Sequence, residues 1–190
     1  MKQLAIFASG QGTNAKNIIQ YFKGHPHLNI GLIVSSHSKA GVLEVSAQAG
    51  IPSVVLDKKE YYGSGDEILR VLSAHHIDGI VLAGFLWLVP SYILERYDHS
   101  IINIHPALLP KYGGKGMYGM RVHQAVWANH ETVTGITIHE VNAQYDEGKT
   151  IFQAKCPVMP LDTPDDIAHK VHLLEYAHYP KVIEGYFLPQ

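Results

Sequence analysis

The sequence has one cysteine, Cys156, which excludes an internal disulfide and fits a reducing compartment. It has no long apolar run either. The longest, residues 80–89, is about half of the roughly twenty residues that a membrane helix needs. A secretory pattern is missing at the N-terminus, because the apolar run 4–8 is short and leads directly into a glycine loop. Neither sign of charge dominates. There are 15 Lys and Arg against 17 Asp and Glu, a formal charge of -2, so no global field favours a nucleic-acid backbone or an anionic membrane. Linkers, internal repeats and low-complexity tracts are absent as well. Together these absences point to a soluble cytoplasmic protein whose partners are small molecules. With 190 residues, 46% of them hydrophobic, the chain is long enough to close one substantial core and short for two, so a single domain over 1–190 is expected.

What is present is an alternation of short apolar runs and amphipathic segments. Residues 4–9 lack polar alternation, as a parallel strand covered on both faces does, and they end at Gly10. A helix begins near Asn14, with Ile18, Ile19 and Phe22 on one stripe. Strands at 30–35, 53–56 and 79–83 then alternate with helices at 42–49 and 66–76, the rhythm of βαβ units. After a short helix at 92–97, residues 101–105 read as a buried strand stopped by Pro106. Residues 110–120, rich in glycine and lysine, are expected as a mobile loop, and 122–128 as a helix. Segments 133–141 and 151–158 read as an antiparallel strand pair around the polar loop 142–148. Pro164 opens a last amphipathic helix with Ile167, Val171, Leu174 and Ala177 on its apolar stripe. The expected fold is α/β: a Rossmann-like open, mostly parallel sheet with helices on both faces and an antiparallel C-terminal strand pair.

Gly10-Gln11-Gly12-Thr13-Asn14-Ala15 satisfies the spacing G-x-G-x-x-A between the first strand and the first helix. Glycine lets an anion approach the backbone, the N–H groups of the helix N-terminus donate to it, and Thr13 and Asn14 add side-chain donors. The anion need not belong to a dinucleotide. Residues 28–43 contain no Asp or Glu to take a ribose hydroxyl, which argues against a nicotinamide oxidoreductase. A second, P-loop-like stretch at 143–150 is rejected, because it runs into a strand pattern and carries Asp146 and Glu147 where a phosphate would sit. The 13 histidines show no repeated ligand spacing. His169 and His172 share a helical face without a third ligand, so no metal is expected.

Asn103 and His105 are polar residues separated by one apolar residue, and they project from the same side of a strand that is otherwise apolar. Near the carboxyl end of that strand they face the crevice where open α/β sheets bind ligands. An amide NH₂ and an imidazole N–H aimed together stabilise a carbonyl oxygen that is becoming an oxyanion in acyl transfer.

Five segments together resemble the phosphoribosylglycinamide formyltransferase family of purine synthesis, over essentially the whole chain: residues 9–14, 82–85, 103–112, 134–137 and 146–148. The resemblance implies transfer of a formyl group from 10-formyltetrahydrofolate, a consumed cosubstrate, to the amine of glycinamide ribonucleotide, with no metal. It implies that Asn103, His105 and Asp146 are catalytic, with Asp146 beside His105 and keeping it protonated. Gly10, Gln11, Gly12, Thr13, Asn14, Pro106 and Glu175 are implied to bind the ribonucleotide. The folate is implied to lie against Leu86, Trp87, Leu88, Val89, Val141 and Tyr145. Deformylases and methionyl-tRNA formyltransferases share the Asn, His and Asp set, so that set names the chemistry more firmly than the acceptor. The phosphate loop and the chain length select the ribonucleotide as acceptor. Trp87 stands where many members carry arginine, and 113–120 replaces a shorter turn, with Lys111 and Lys115 as candidate substitute contacts.

Overall fold

The computed structural model describes residues 1–188. Its centre is a seven-stranded sheet of order β3-β2-β1-β4-β5-β6-β7. The strands are β1 (Lys2–Ala8), β2 (Leu28–Ser35), β3 (Ser53–Val55), β4 (Gly79–Leu82), β5 (Ile101–His105), β6 (Val133–Glu140) and β7 (Thr150–Pro157). The first five run parallel, and β6 and β7 are antiparallel to their neighbours. The helices are α1 (Thr13–Tyr21), α2 (Val42–Ala49), α3 (Lys58–Tyr61), α4 (Asp66–Ala74), α5 (Ser91–Arg96), α6 (Met120–Ala128) and α7 (Pro164–Phe187). This is the Rossmann-like α/β fold expected from the strand and helix rhythm.

The lack of alternation in β1 has a simple cause. Leu4, Ile6 and Ala8 enter the core under α1, α2 and α7, while Ala5 and Phe7 enter the core under α3, α4 and α5. Both sides of the strand are dry, so every residue from Leu4 to Ala8 is buried. Strand β5 shares this division only in part. Ile102 and Ile104 face the first core, whereas Ile101, Asn103 and His105 share the other face, which turns polar toward its carboxyl end.

Three details differ from expectation. Helix α3 had no clear sequence signal; it is one turn, capped by Asp57 accepting from the Lys59 and Glu60 amides at 2.9 Å, and it buries Tyr61 completely. On α7 the buried row runs Ile167, Val171, Glu175, Tyr179, Ile183, Phe187, whereas Leu174 is half-buried and Ala177 exposed. A carboxylate therefore occupies the centre of an apolar stripe, which requires partners. The third difference concerns 110–120, expected as a mobile loop; it is tied to β5 and to Asp146 as described below. Among the described residues no helix is long and apolar enough to cross a membrane.

Candidate functional site

The strand order reverses between β1 and β4, and open α/β sheets bind ligands at the carboxyl ends of strands around such a point. Three of the candidate segments leave the sheet there: 9–14 from β1, 83–89 from β4 and Pro106 from β5.

After β1, Gly12 precedes α1 in a left-handed conformation, φ +78°, with no side-chain cap on the helix. The two glycines of this loop have different reasons to be glycine. A Cβ on Gly12 would stand 2.7 Å from the Val42 Cα, so Gly12 serves the close packing of α1 on α2 and a backbone shape that L-residues rarely adopt. Around Gly10 nothing lies within 4 Å of such a Cβ. The Cβ side of Gly10 is thus open, whereas that of Gly12 is closed by α2. Thr13 is the first residue of α1 and Gln11 is exposed.

Asn14 and Glu175, 161 residues apart, meet directly: the Asn14 Nδ2 donates to Glu175 Oε2 at 2.9 Å. His172 Nδ1 donates to the same oxygen at 2.8 Å. Glu175 is only 4% exposed, and these two donors are what permit a carboxylate inside the α7 stripe. Asn14 Oδ1 is buried without a partner. The carboxylate raises the His172 pKa through that hydrogen bond, against the opposing effect of burial. Its ring neighbour His123 is buried with Nδ1 unpaired, and burial followed by His172 lowers its pKa to about 4.

The second polar assembly is built on β5. In the register of β5 with β6, Asn103 lies opposite His139 and His105 opposite Thr137. His139 Nδ1 donates to the Glu140 carbonyl at 2.7 Å, because a carbonyl only accepts. In the neutral ring Nε2 is then an acceptor, and Asn103 Nδ2 donates to it at 3.1 Å. This fixes which end of the Asn103 amide carries hydrogens, and the second of them lies toward Asp146 Oδ1 in a longer contact of 3.5 Å. His105 Nε2 donates to the Tyr112 carbonyl at 2.7 Å by the same reasoning, so its Nδ1 edge faces Asp146 Oδ2 at 3.4 Å.

Asp146 lies in the loop between β6 and β7, at φ +59°. Its Oδ2 accepts from the Gly114 amide at 2.9 Å, and its Oδ1 lies 3.6 Å from His139 Nε2 and 3.5 Å from Asn103 Nδ2. Burial opposes ionisation of this carboxyl. The His139 contact, the charge of His105 and the Gly114 amide together outweigh it and hold Asp146 below the ordinary carboxylate value. For His105 the balance goes the other way. Burial lowers its pKa, and Asp146 and the Tyr112 carbonyl restore only part of the drop. Burial thus works against the protonated ring that the resemblance implies for His105, while the Asp146 carboxylate 3.4 Å from Nδ1 works for it, and the Tyr112 carbonyl holds a proton on Nε2.

An open cleft of about 460 Å³ is lined on this side by Asp146, Tyr145, Gly113 and Gly114. The candidate folate segment 86–89 does not line it. Leu86 is 44% exposed and its amide donates to Ser9 Oγ, while Val89 is buried in the core under α5, which leaves its side chain no ligand-facing surface. Trp87 packs on Tyr61 and Tyr62 at centroid distances of 5.4 and 5.9 Å, with Lys58 over its ring. Burial and the neighbouring Tyr145 raise the Tyr62 pKa, which links this aromatic wall to the Asp146 loop. Val141 is half-buried against the same core, and Pro106 is half-buried where β5 ends. Lys111 is paired with Glu131 at 2.8 Å, so it is not a free phosphate contact. The stretch 143–150 opens no helix, as its rejection as a P-loop required.

Sequence reasoning missed His139 and Tyr112. The signal for His139 was present as alternation, since Thr137 and His139 interrupt an apolar run at the period of a strand. Nothing local marked Tyr112, whose backbone oxygen does the work.

The site can be compared with known proteins. A phosphoribosylglycinamide formyltransferase of Haemophilus influenzae is 35% identical over 190 residues, covering 98% of this chain and 87% of the relative. The chloroplastic phosphoribosylglycinamide formyltransferase of Vigna unguiculata is 36% identical over 188 residues, 97% of this chain, and the chain spans 60% of that relative's length. The crystal structure of phosphoribosylglycinamide formyltransferase from Bacillus halodurans superposes with a TM-score of 0.89 at 33% identity, covering 99% of this chain and 96% of the other. The formyl transferase family profile matches residues 2–183, from the start of β1 into α7 and thus across both polar assemblies, and the chain belongs to the formyl transferase family.

Proposed function

We propose that the chain, acting as one domain over 1–190, transfers the formyl group of 10-formyltetrahydrofolate to the amine of glycinamide ribonucleotide, in the cytoplasm. Family membership supports a formyl-folate cosubstrate. The observation that carries the acceptor is the direct bond of Asn14 to Glu175, which joins an anion-ready helix start to a buried carboxylate whose Oε1 has no hydrogen bond among the described residues. A phosphate at Gly10, Gln11, Gly12 and Thr13 and an amine or hydroxyl donor at Glu175 Oε1 fit the two ends of one ribonucleotide. The folate is taken to lie against Leu86, Trp87, Leu88, Val141 and Tyr145 beside Pro106, a reading supported by the exposure of Leu86 and by the aromatic wall of Trp87, Tyr61 and Tyr62, which suits a flat heterocycle; Val89 would contribute through its backbone. The partners are these two small molecules, and neither a nucleic acid nor a membrane takes part.

In the reaction the neutral amine attacks the formyl carbon, and the carbonyl electron pair moves to oxygen. The Asn103 amide, held by His139 at 3.1 Å and only loosely by Asp146 Oδ1 at 3.5 Å, gives its second hydrogen to that oxyanion in place of the longer contact. His105 Nδ1 takes the proton released by the attacking nitrogen, forming an imidazolium that Asp146 stabilises at 3.4 Å. The same proton passes to the folate nitrogen as its bond to carbon breaks, leaving the formylated amine and tetrahydrofolate. Holding amine and formyl group side by side removes much of the entropic cost of encounter. The residues alone supply these steps.

The test is transfer from 10-formyltetrahydrofolate with glycinamide ribonucleotide, run beside water, methionyl-tRNA and NADPH controls. Formyl transfer that depends on the ribonucleotide is expected. Formate release without acceptor, or transfer to methionyl-tRNA alone, overturns the proposed acceptor.

A further inference from the structure

The ring of His105 is held by the Tyr112 carbonyl, and Tyr112 is itself held from a distance. Its backbone lies at φ +57°, a left-handed conformation that a bulky residue adopts only when its surroundings impose it. The ring packs at the edge of the first core, and the phenol adds a directed constraint. Tyr112 Oη donates to Glu131 Oε1 at 2.9 Å, and Lys111 Nζ donates to the same oxygen at 2.8 Å. Glu131 sits where α6 ends, its amide bonded to the Val126 carbonyl at 3.2 Å, so it moves with α6 and not with the loop. The preceding stretch is pinned separately: Thr137 Oγ1 donates to the Ala107 carbonyl at 2.7 Å and accepts from the Leu109 amide at 2.9 Å. Residues 107–109 therefore stay in place without Glu131, and what Glu131 governs is the turn at Tyr112.

We propose that Glu131 and the Tyr112 phenol form a latch that positions His105, fixing its proton on Nε2 and its Nδ1 edge toward Asp146, so that both are positioning residues for proton transfer. The role of His105 in transfer rests on the proposed function; the latch itself does not. Without it the left-handed turn relaxes, the Tyr112 carbonyl leaves Nε2, and the neutral ring exchanges freely between its two tautomers. Groups facing His105 from every side contribute to its titration: Asp146 from the β6–β7 loop, His139 from β6, His123 from α6, Glu175 from α7 and the Tyr112 carbonyl. Of these, loss of the latch removes only the carbonyl, which favours the protonated ring, so the His105 pKa falls.

The experiment is imidazole nitrogen NMR on the unliganded full chain, with the His105 signal assigned by its absence from His105→Asn. Wild type should show the Nε2–H tautomer. Tyr112→Phe and Glu131→Ala should each show mixed tautomers and a lower His105 pKa, and Glu131→Gln, which keeps an acceptor oxygen, should recover most of the wild-type spectrum. In turnover, Tyr112→Phe and Glu131→Ala should each lose roughly threefold to tenfold in kcat, the factor carried by one hydrogen bond, with KM little changed. The double variant should lose no more than Glu131→Ala alone, because both act through one path. If Glu131→Ala does not fold, Tyr112→Phe, which removes a single oxygen, decides the matter. A wild-type tautomer and pKa in Tyr112→Phe overturn the latch, whatever the assay shows. Absence of formyl transfer in wild type overturns the proposed function and leaves the NMR result standing.

Discussion

The β1–α1 loop and the β5 centre lie at the ends of strands in one sheet, yet they are completed to different degrees. At the loop, Asn14 Oδ1 has no partner, the Cβ side of Gly10 is open, and α1 has no side-chain cap. At the centre, Asn103, His105, His139 and Asp146 bond to one another or to nearby backbone, and their partners come from β5, β6 and two loops. An unpaired acceptor such as Asn14 Oδ1 and the uncapped N–H donors of α1 are costly unless a ligand or water takes them, which fits a loop finished by what it binds. Groups that must be aimed before the ligand arrives are instead held by internal bonds, which spares reorganisation during the reaction. The proposed binding loop and the proposed chemical centre thus lie at the ends of β1 and β5, with β4 between them, and are completed under different rules.

This comparison can be broken most severely at Asp146. Asp146→Asn keeps the shape of the centre and removes its charge, and turnover should fall by roughly 10²-fold while the affinity for both ligands changes little. Without the carboxylate, burial acts on His105 with less opposition, so the pH limb that reports His105 should move to lower pH. Single-turnover transfer across pH, with binding constants alongside, reads both effects. Turnover near wild type with an unmoved limb means that the centre is not organised around this charge.

A smaller loss is expected for His139→Ala, which removes the acceptor that orients the Asn103 amide but leaves Asp146 and His105 in place. A roughly tenfold fall in kcat is expected, with the His105 limb displaced less than in Asp146→Asn. Equal displacement in the two variants would mean that His139 acts on His105 and not on Asn103. The smallest effect on chemistry belongs to the loop, where two neighbouring glycines should separate stability from binding. Gly12→Ala forces a Cβ against Val42 at a left-handed φ and should cost about 1–3 kcal/mol of stability in urea unfolding. Gly10→Val should leave stability near wild type and weaken ribonucleotide binding, measured by calorimetry, with folate binding intact. The reverse pattern would exchange the roles assigned to the two glycines.

Much of the fold was legible because the central parallel strands β1 and β4 are dry on both faces over most of their length and the longer helices show an apolar stripe. Helix α3 escaped because a single turn has no period to read, and its capping by Asp57 is a local event. The α7 stripe was misread at Ala177, while Leu174 packs at the core's margin, because the true row passes through Glu175, which looks polar until Asn14 and His172 are beside it. Within the site, Asn103 and His105 stood out as polar residues inside an apolar strand. His139 did not, since its importance depends on the residue across the strand.

By itself the sequence determined the order of strands and helices, the strand-end loops and the pairing of Asn103 with His105 on one face, because these follow from local periodicity and from the steric freedom of glycine. Only the tertiary structure decided that His139 faces Asn103, that Glu175 meets Asn14 and that the Tyr112 carbonyl holds His105. Each of those contacts joins segments brought together by strand register or by the docking of a loop or helix. The protonation balance of His105 belongs to the same class, since it sets burial against a carboxylate 41 positions further along, a balance that exists only once the sheet has closed around both.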